Sequence, residues 1–478
     1  MMHARTVVGN VASLTAMRVV TGALAVCLFW AIARFAGSDA LGQYALAMAT
    51  FYFLQQMPLL GLHTALTRDT ATEPDRLRGR AGGAAMIAGL TGLMLAAGVA
   101  ATGELLYEGT ARLLFGFVAI SMLPTAYIAV VESILIGQQR LSLIAAVNTA
   151  EALFRTVASL FLLVTDWGLV SMFAVFFVGR IGAAAVYARR GNLPKMEWDT
   201  AASEEARDYL RQCPVFLAIL FCSSALVRVD VFALSHLVSY QELGIYAAAA
   251  KFFELGSTFS AIVTLTIFPV FASEWRRDAQ SATRLLRRVI LWLLVPSIMG
   301  AVMLGFLARP VLDLLFGPSY AQAAGALCWL LGAGMLMIVN HALAMVLVAA
   351  GEQRLDLAAL VLALAVALAT LCWFVNMFGY LGAAMAICAA MAVQVAARLV
   401  WVWRFLGVSV GIGTIAGPLA AACAMLFAMI ALRQAGTAAV MVGGAVAYAI
   451  AILITGTLGR DDFQRAAAGL RSWRGKAK

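Results

Sequence analysis

Ten ionisable residues stand inside stretches of this sequence that are otherwise apolar: Arg18, Arg155, Arg180, Arg228, Lys251 and Arg398, with Glu132, Glu151, Asp230 and Glu254. Charge at bilayer depth is costly, so such a residue faces a partner, a cavity or water. Glu151 and Arg155 are four apart, in the order that favours pairing on a helix, and are expected to form a structural ion pair. Lys251 and Glu254 are three apart and can also pair, or form a switchable proton or cation site. Arg228 and Asp230 are two apart and face different directions, so each needs a partner elsewhere. Glu132 and Arg398 lie near helix ends, from which a long side chain can snorkel to the interface. Arg18, Arg180, Arg228 and Lys251 remain as cations without a secure local partner. Converging on a cavity, they would suit an anionic and especially a phosphate-bearing substrate, because a guanidinium forks two oxygens. Asp230 and Glu254 are the acids that could couple such a site to an ion. The seven cysteines lie in or beside apolar runs without a CxxC spacing. No catalytic nucleophile, metal site or cofactor is expected.

The elements that position these residues follow from composition. Of 478 residues, 63% are hydrophobic and only 12% charged. That excludes a soluble enzyme, a disulfide scaffold and a disordered chain, and leaves a multi-pass membrane protein. A span needs about 20 apolar residues. Apolar runs bounded by charged or Gly/Pro turns predict fourteen helices, at 10–33, 43–66, 81–102, 113–136, 142–164, 168–188, 213–236, 244–272, 289–308, 323–349, 357–377, 380–403, 412–432 and 438–458. With the N-terminus in the cytoplasm, 24 of the 34 Lys and Arg residues fall in cytoplasmic segments, 4 outside and 6 within spans. This bias puts both termini in the cytoplasm. It accounts for the net charge of +10 without a nucleic-acid partner.

The spans repeat. LGQYA (Leu41 to Ala45) recurs as LGIYA (Leu243 to Ala247), GQQRL (Gly137 to Leu141) as GEQRL (Gly351 to Leu355), and Trp167-Gly168 as Phe378-Gly379. Each copy falls at the same place in two successive sets of six spans. An even span number gives both sets one orientation, so they are parallel repeats, a plan that transporters use. The expected organisation is a six-helix lobe at 1–190, a cytoplasmic linker at 191–212 with a short helix from Ser203 to Arg211, a second lobe at 213–408, two further helices at 409–459, and a basic cytoplasmic tail at 460–478.

The segment RFAGSDALGQYA (Arg34 to Ala45), followed by a helix containing Gly61 and ending at Thr67-Arg68, resembles the opening of Wzx-type polysaccharide flippases of the multidrug/oligosaccharidyl-lipid/polysaccharide exporter superfamily. LGIYAAAAKFFE (Leu243 to Glu254) is similar to that family's eighth span, and the GQQR and GEQR turns to its loops before spans five and eleven. The resemblance covers essentially the whole chain. It implies two six-helix bundles in a V, alternating access, and a cationic cavity for a polyprenyl-diphosphate-linked glycan, moved from the cytoplasmic to the outer leaflet of a bacterial inner membrane. It implies no enzymatic step. A glycan polymerase and glycosyltransferases are the protein partners it points to. The layout is also similar to that of lipid II flippases, with Arg18 and Lys251 at basic positions of the first and eighth helices, although residues 48 to 53 carry no charge here. Two other activities fit a membrane protein of this composition. A drug/cation antiporter of the same superfamily would need cavity acids. A glycan polymerase or ligase would need a large outer loop, and no outer segment of that size is present.

Overall fold

The computed structural model describes residues 2–73, 77–191, 200–408, 411 and 413–457. Within hydrocarbon every backbone N–H and C=O must be satisfied inside the segment, which helices achieve. The described residues are helical throughout, apart from turns. The N-terminal helices are α1 (Met2–Ala31), continued by a π-helical turn Ile32–Ala36, α2 (Gly37–Leu54), α3 (His63–Thr72), α4 (Leu77–Leu106), α5 (Gly109–Gly137), α6 (Leu141–Val164) and α7 (Gly168–Arg190). Next come α8 (Thr200–Leu226), α9 (Val229–Leu237), α10 (Tyr240–Arg277), α11 (Ala279–Phe306) and α12 (Ala308–Phe316). After a 3-10 segment, Pro318–Ala323, follow α13 (Ala324–Ala349), α14 (Gln353–Phe378), α15 (Tyr380–Leu406), α16 (Gly413–Ala431) and α17 (Thr437–Ile454).

Eleven described helices are long and apolar enough to cross a membrane, and a twelfth span arises if the bent pair Leu217–Leu226 and Val229–Leu237 is one. The stretch Ala16–Leu54 passes as one unit of 39 residues. The sequence reads it as two spans, and Gly37, at φ 85°, breaks the chain between α1 and α2. The shorter apolar helix Ala416–Ala431 coincides with the thirteenth expected span. The expected linker helix, Ser203 to Arg211, is the first part of α8 and runs without a break into the seventh span. The expected basic tail at 460–478 lies outside the described residues.

The chain divides into two compact units. One comprises Met1–Ala248, Leu315–Ser319 and Val375–Tyr380, and the other Ala249–Leu314, Tyr320–Phe374 and Leu381–Lys478. The seventh span and the start of α10 therefore group with the first unit rather than with the 213–408 lobe expected from span counting. In the first unit α4 packs closely on α5, since a Cβ at Gly92 would stand 2.7 Å from that of Ala126, and one at Gly103 2.7 Å from that of Phe115. Small residues of this kind let helix backbones approach where lipid supplies no hydrophobic drive. Among the described residues of that unit one apolar cluster forms around Leu59, Leu66, Ile134 and Tyr209, and another around Ile128, Val131, Leu135 and Tyr187. In the second unit α11, α13, α16 and α17 surround a cluster containing Leu286, Ile290, Leu343, Val346, Met425 and Met429.

The repeated motifs occupy matching helix junctions. The GQQR and GEQR turns join α5 to α6 and α13 to α14, and Gly168 and Gly379 stand at the starts of α7 and α15. The two LG motifs meet. A Cβ on Gly42 would overlap the Tyr240 carbonyl, and one on Gly244 would overlap the Ser38 carbonyl. Each copy thus requires glycine because it packs against the other copy's helix start.

Candidate functional site

The first unit holds a cavity of about 510 Å³, walled by α1, α2, the start of α3, α5, α6 and α7. Its lining residues on α5 (Thr125 to Ile136) come from the half of that helix nearest the Gln138–Arg140 turn, and those on α6 (Asn148 to Arg155) from around the middle of that helix. Four charged side chains line it: Arg155 and Glu151 from α6, Arg180 from α7 and Glu132 from α5.

Arg180 Nη1 donates to both carboxylate oxygens of Glu151, at 3.1 and 3.3 Å, and its Nε donates to Thr125 Oγ1 at 3.3 Å. Both side chains are about nine-tenths buried, at 11% and 8% exposure. The Arg180 guanidinium carbon also lies 5.7 Å from the centre of the Phe51 ring. Arg155 lies beside Tyr52, Tyr44 and Glu151, with its guanidinium carbon 5.6 Å from the Phe176 ring centre. Its Nε is buried and makes no hydrogen bond among the described residues. Glu132 Oε1 accepts from Asn148 Nδ2 and from the Tyr187 hydroxyl, each at 2.8 Å.

The expected Glu151–Arg155 ion pair is therefore replaced by Glu151–Arg180. The i,i+4 rule describes neighbours on one helix, whereas here α7 brings a guanidinium across from 29 residues away. This partner also gives Arg180 an ion pair that its own helix does not supply. Glu132, expected to snorkel, instead turns inward to Asn148 and Tyr187. The cavity wall carries two arginines and two glutamates, a balanced set rather than the expected excess of positive charge. Chemically it can fork anionic oxygens, accept from hydroxyls through two carboxylates, and stack rings on Phe51, Tyr52 and Phe176.

The other expected residues fall in different places. Arg18 is exposed on α1, one position beyond Met17, which lines the cavity. Arg228, at the α8–α9 break, places its guanidinium carbon 5.4 Å from the ring centre of Tyr52, another lining residue. Asp230 is buried, accepting from the Tyr246 hydroxyl at 2.5 Å and from the Val231 N–H at 2.8 Å. Lys251 belongs to the second unit, where its Nζ donates to Glu254 at 2.8 Å.

The second unit contains a further charged group that sequence reading misplaced. Arg398, expected near an interface, is only 4% exposed. Its Nη2 meets Asp356 Oδ1 at 2.7 Å, and its Nη1 donates to the Asn340 carbonyl at 3.0 Å and side-chain oxygen at 3.1 Å. Nearby on α13, His341 Nδ1 lies 3.0 Å from Ser260 Oγ.

The polysaccharide biosynthesis protein family matches residues 7–275. With more than half of its length matched, the chain belongs to that family. No curated protein matches it. Among solved structures it is similar to "Lipid II flippase MurJ, inward closed conformation", at 15% identity and a TM-score of 0.76, covering 95% of this chain and 99% of that one. It is also similar to an inward-facing multidrug resistance MATE family transporter of the MOP superfamily, at 14% identity and TM-score 0.62, covering 80% and 93%. A third is a MOP superfamily transporter from Pyrococcus furiosus Vc1, at 13% identity and TM-score 0.55, covering 84% and 93%. The fold is thus one that these solved structures share.

Proposed function

We propose that this protein is a flippase that carries a polyprenyl-diphosphate-linked oligosaccharide from the cytoplasmic to the outer leaflet of a bacterial inner membrane, by alternating access and without making or breaking a covalent bond. The observation that carries this reading is the cavity, where Arg155 and Arg180 converge with Glu132, Asn148 and three aromatic rings in a family of polysaccharide biosynthesis proteins. Arg155, with an unbonded Nε, is the cation best placed to receive a phosphate, and the carboxylates and rings suit sugar hydroxyls and faces. The Lys/Arg bias supports both termini in the cytoplasm, and on that topology the cavity reaches from mid-membrane toward the cytoplasmic face. A head of about −2 charge moving outward against an interior-negative potential gains roughly 4–5 kcal/mol per 100 mV. Arg18, Arg228 and Lys251 are proposed as further contacts for the head, and Asp230 and Glu254 as acids for ion coupling. The experiment is complementation of a flippase-null strain. Arg155→Ala, Arg228→Ala and Lys251→Ala are expected to abolish or cripple glycan export at normal protein levels. Export intact in all three overturns the reading.

One observation favours a second reading, a drug/cation antiporter: Glu132 and Glu151 give the cavity two acids. Both already have partners, Glu132 in Asn148 and Tyr187 and Glu151 in Arg180, which lowers their availability to a cationic drug. Resistance to cationic dyes in expressing cells would show this activity.

A further inference from the structure

A second cavity, of about 680 Å³, lies on the outer side of the α6–α7 pair in the first unit. Its walls include Phe154 of α6 and Val178, Gly182 and Val186 of α7, and its end is formed by Arg189 and Arg190. Phe154, Val178 and Val186 are exposed although apolar, as a lipid-facing wall is. Gly182 forms open floor, since a Cβ there would meet nothing within 4 Å. Both terminal arginines are exposed and make no ion pair among the described residues. Arg140 closes the same corner, its guanidinium donating to the carbonyls of Arg190 and Gly191. The one acid on the wall, Glu151, is already bound to Arg180.

The groove therefore joins an apolar trough to a cationic mouth. Along α7, Val178 to Arg190 spans about 18 Å at 1.5 Å per residue, close to the hydrocarbon depth of one leaflet, about 15 Å. We propose that this groove is a binding site for an anionic glycerophospholipid, with its phosphate on Arg189 and Arg190 and one acyl chain laid along Gly182. The depth separates this ligand from the transported substrate. Arg180, in the charged cavity, lies nine residues and about 14 Å deeper along the same helix, so a substrate held there would not present its phosphates at the groove mouth. A headgroup at its ordinary depth does.

The test is native mass spectrometry of the full chain, titrated in detergent with phosphatidylglycerol or phosphatidylcholine. The wild type should retain one phosphatidylglycerol in preference to phosphatidylcholine. Arg189→Gln/Arg190→Gln should weaken that retention about 30-fold, since a basic residue near the surface contributes about fivefold. Arg189→Lys/Arg190→Lys, which keeps the charge and the topology signal, should restore most of it. Gly182→Phe fills the trough and should lose both lipids with the arginines intact. Equal retention of phosphatidylglycerol by all four proteins, or no preference over phosphatidylcholine in the wild type, overturns the proposal. So does a co-purified adduct with the mass of a polyprenyl diphosphate that the Gly182→Phe variant lacks.

Discussion

Breaking the Glu151–Arg180 pair should destabilise the first unit more than removing it altogether. Both side chains are about nine-tenths buried and 3.1 Å apart. Truncating one partner of such a pair leaves an uncompensated buried charge, which costs about 3–5 kcal/mol, whereas replacing both with apolar groups is often close to neutral. Arg180→Met leaves Glu151 without its ion-pair partner and with Arg155 alone as a nearby cation among the described residues, while Glu151→Leu leaves Arg180, among the described residues, with Thr125 and the Phe51 ring. At roughly 2–4 °C per kcal/mol for a unit of this size, each single variant should lower the melting temperature in detergent by about 6–20 °C. The double variant should recover most of that loss, with a coupling of at least about 2 kcal/mol. A parallel cycle of Glu151→Leu with Arg155→Met should couple more weakly. Additive shifts in the first cycle, or stronger coupling in the second, would show that Glu151 pairs along α6 and would refute the geometry.

Other outcomes follow from the same structure. Gly42→Ala and Gly244→Ala each drive a Cβ into a backbone carbonyl and should lose about 1–3 kcal/mol with export, whereas Gly116→Ala, with open space around it, should be tolerated; melting curves and complementation check both. Arg398→Met should destabilise the second unit by about 3–5 kcal/mol, and Asp356→Leu/Arg398→Met should restore most of it, as read by thermal unfolding. Asp278 caps α11, and hydrogen bonds from Ser281 and from the Gln280 N–H hold its carboxyl below the ordinary 3.8. A lowered folded-state value stabilises above the unfolded value and is lost as pH falls through the folded one. Asp278→Ala should thus lower the melting temperature equally at pH 7 and 5 and by progressively less as the pH falls below 3.8, while Asp278→Asn, which keeps a capping oxygen, should lose less than Asp278→Ala at pH 7.

Much of the architecture was legible because hydrocarbon admits few alternatives. Apolar runs of span length had to be helices, and Gly137, Gly168, Gly351 and Gly379 marked junctions that the fold keeps. The repeat was legible as well, although the sequence could not show that its two LG motifs touch. The site was less so. Residue types at depth singled out Glu151, Arg155 and Arg180, but spacing on one helix cannot reveal a partner on the next. Hairpin register carried the missing signal. Glu132 and Asn148 flank the Gln138–Arg140 turn at similar distances, as Asp356 and Arg398 flank Gly379, so antiparallel neighbours bring each pair together. The cavity's balanced charge was hidden for the same reason, because Glu132 looked like a residue near a helix end.

The most direct measurement of the central claim is translocation in proteoliposomes holding the purified chain and a polyprenyl-diphosphate-linked oligosaccharide with a fluorescent sugar, read by quencher accessibility under an imposed potential. Transfer should be fastest when the receiving side is positive, lost in Arg155→Met, and absent for a cationic dye. Transport of the dye with no movement of the labelled lipid would contradict it.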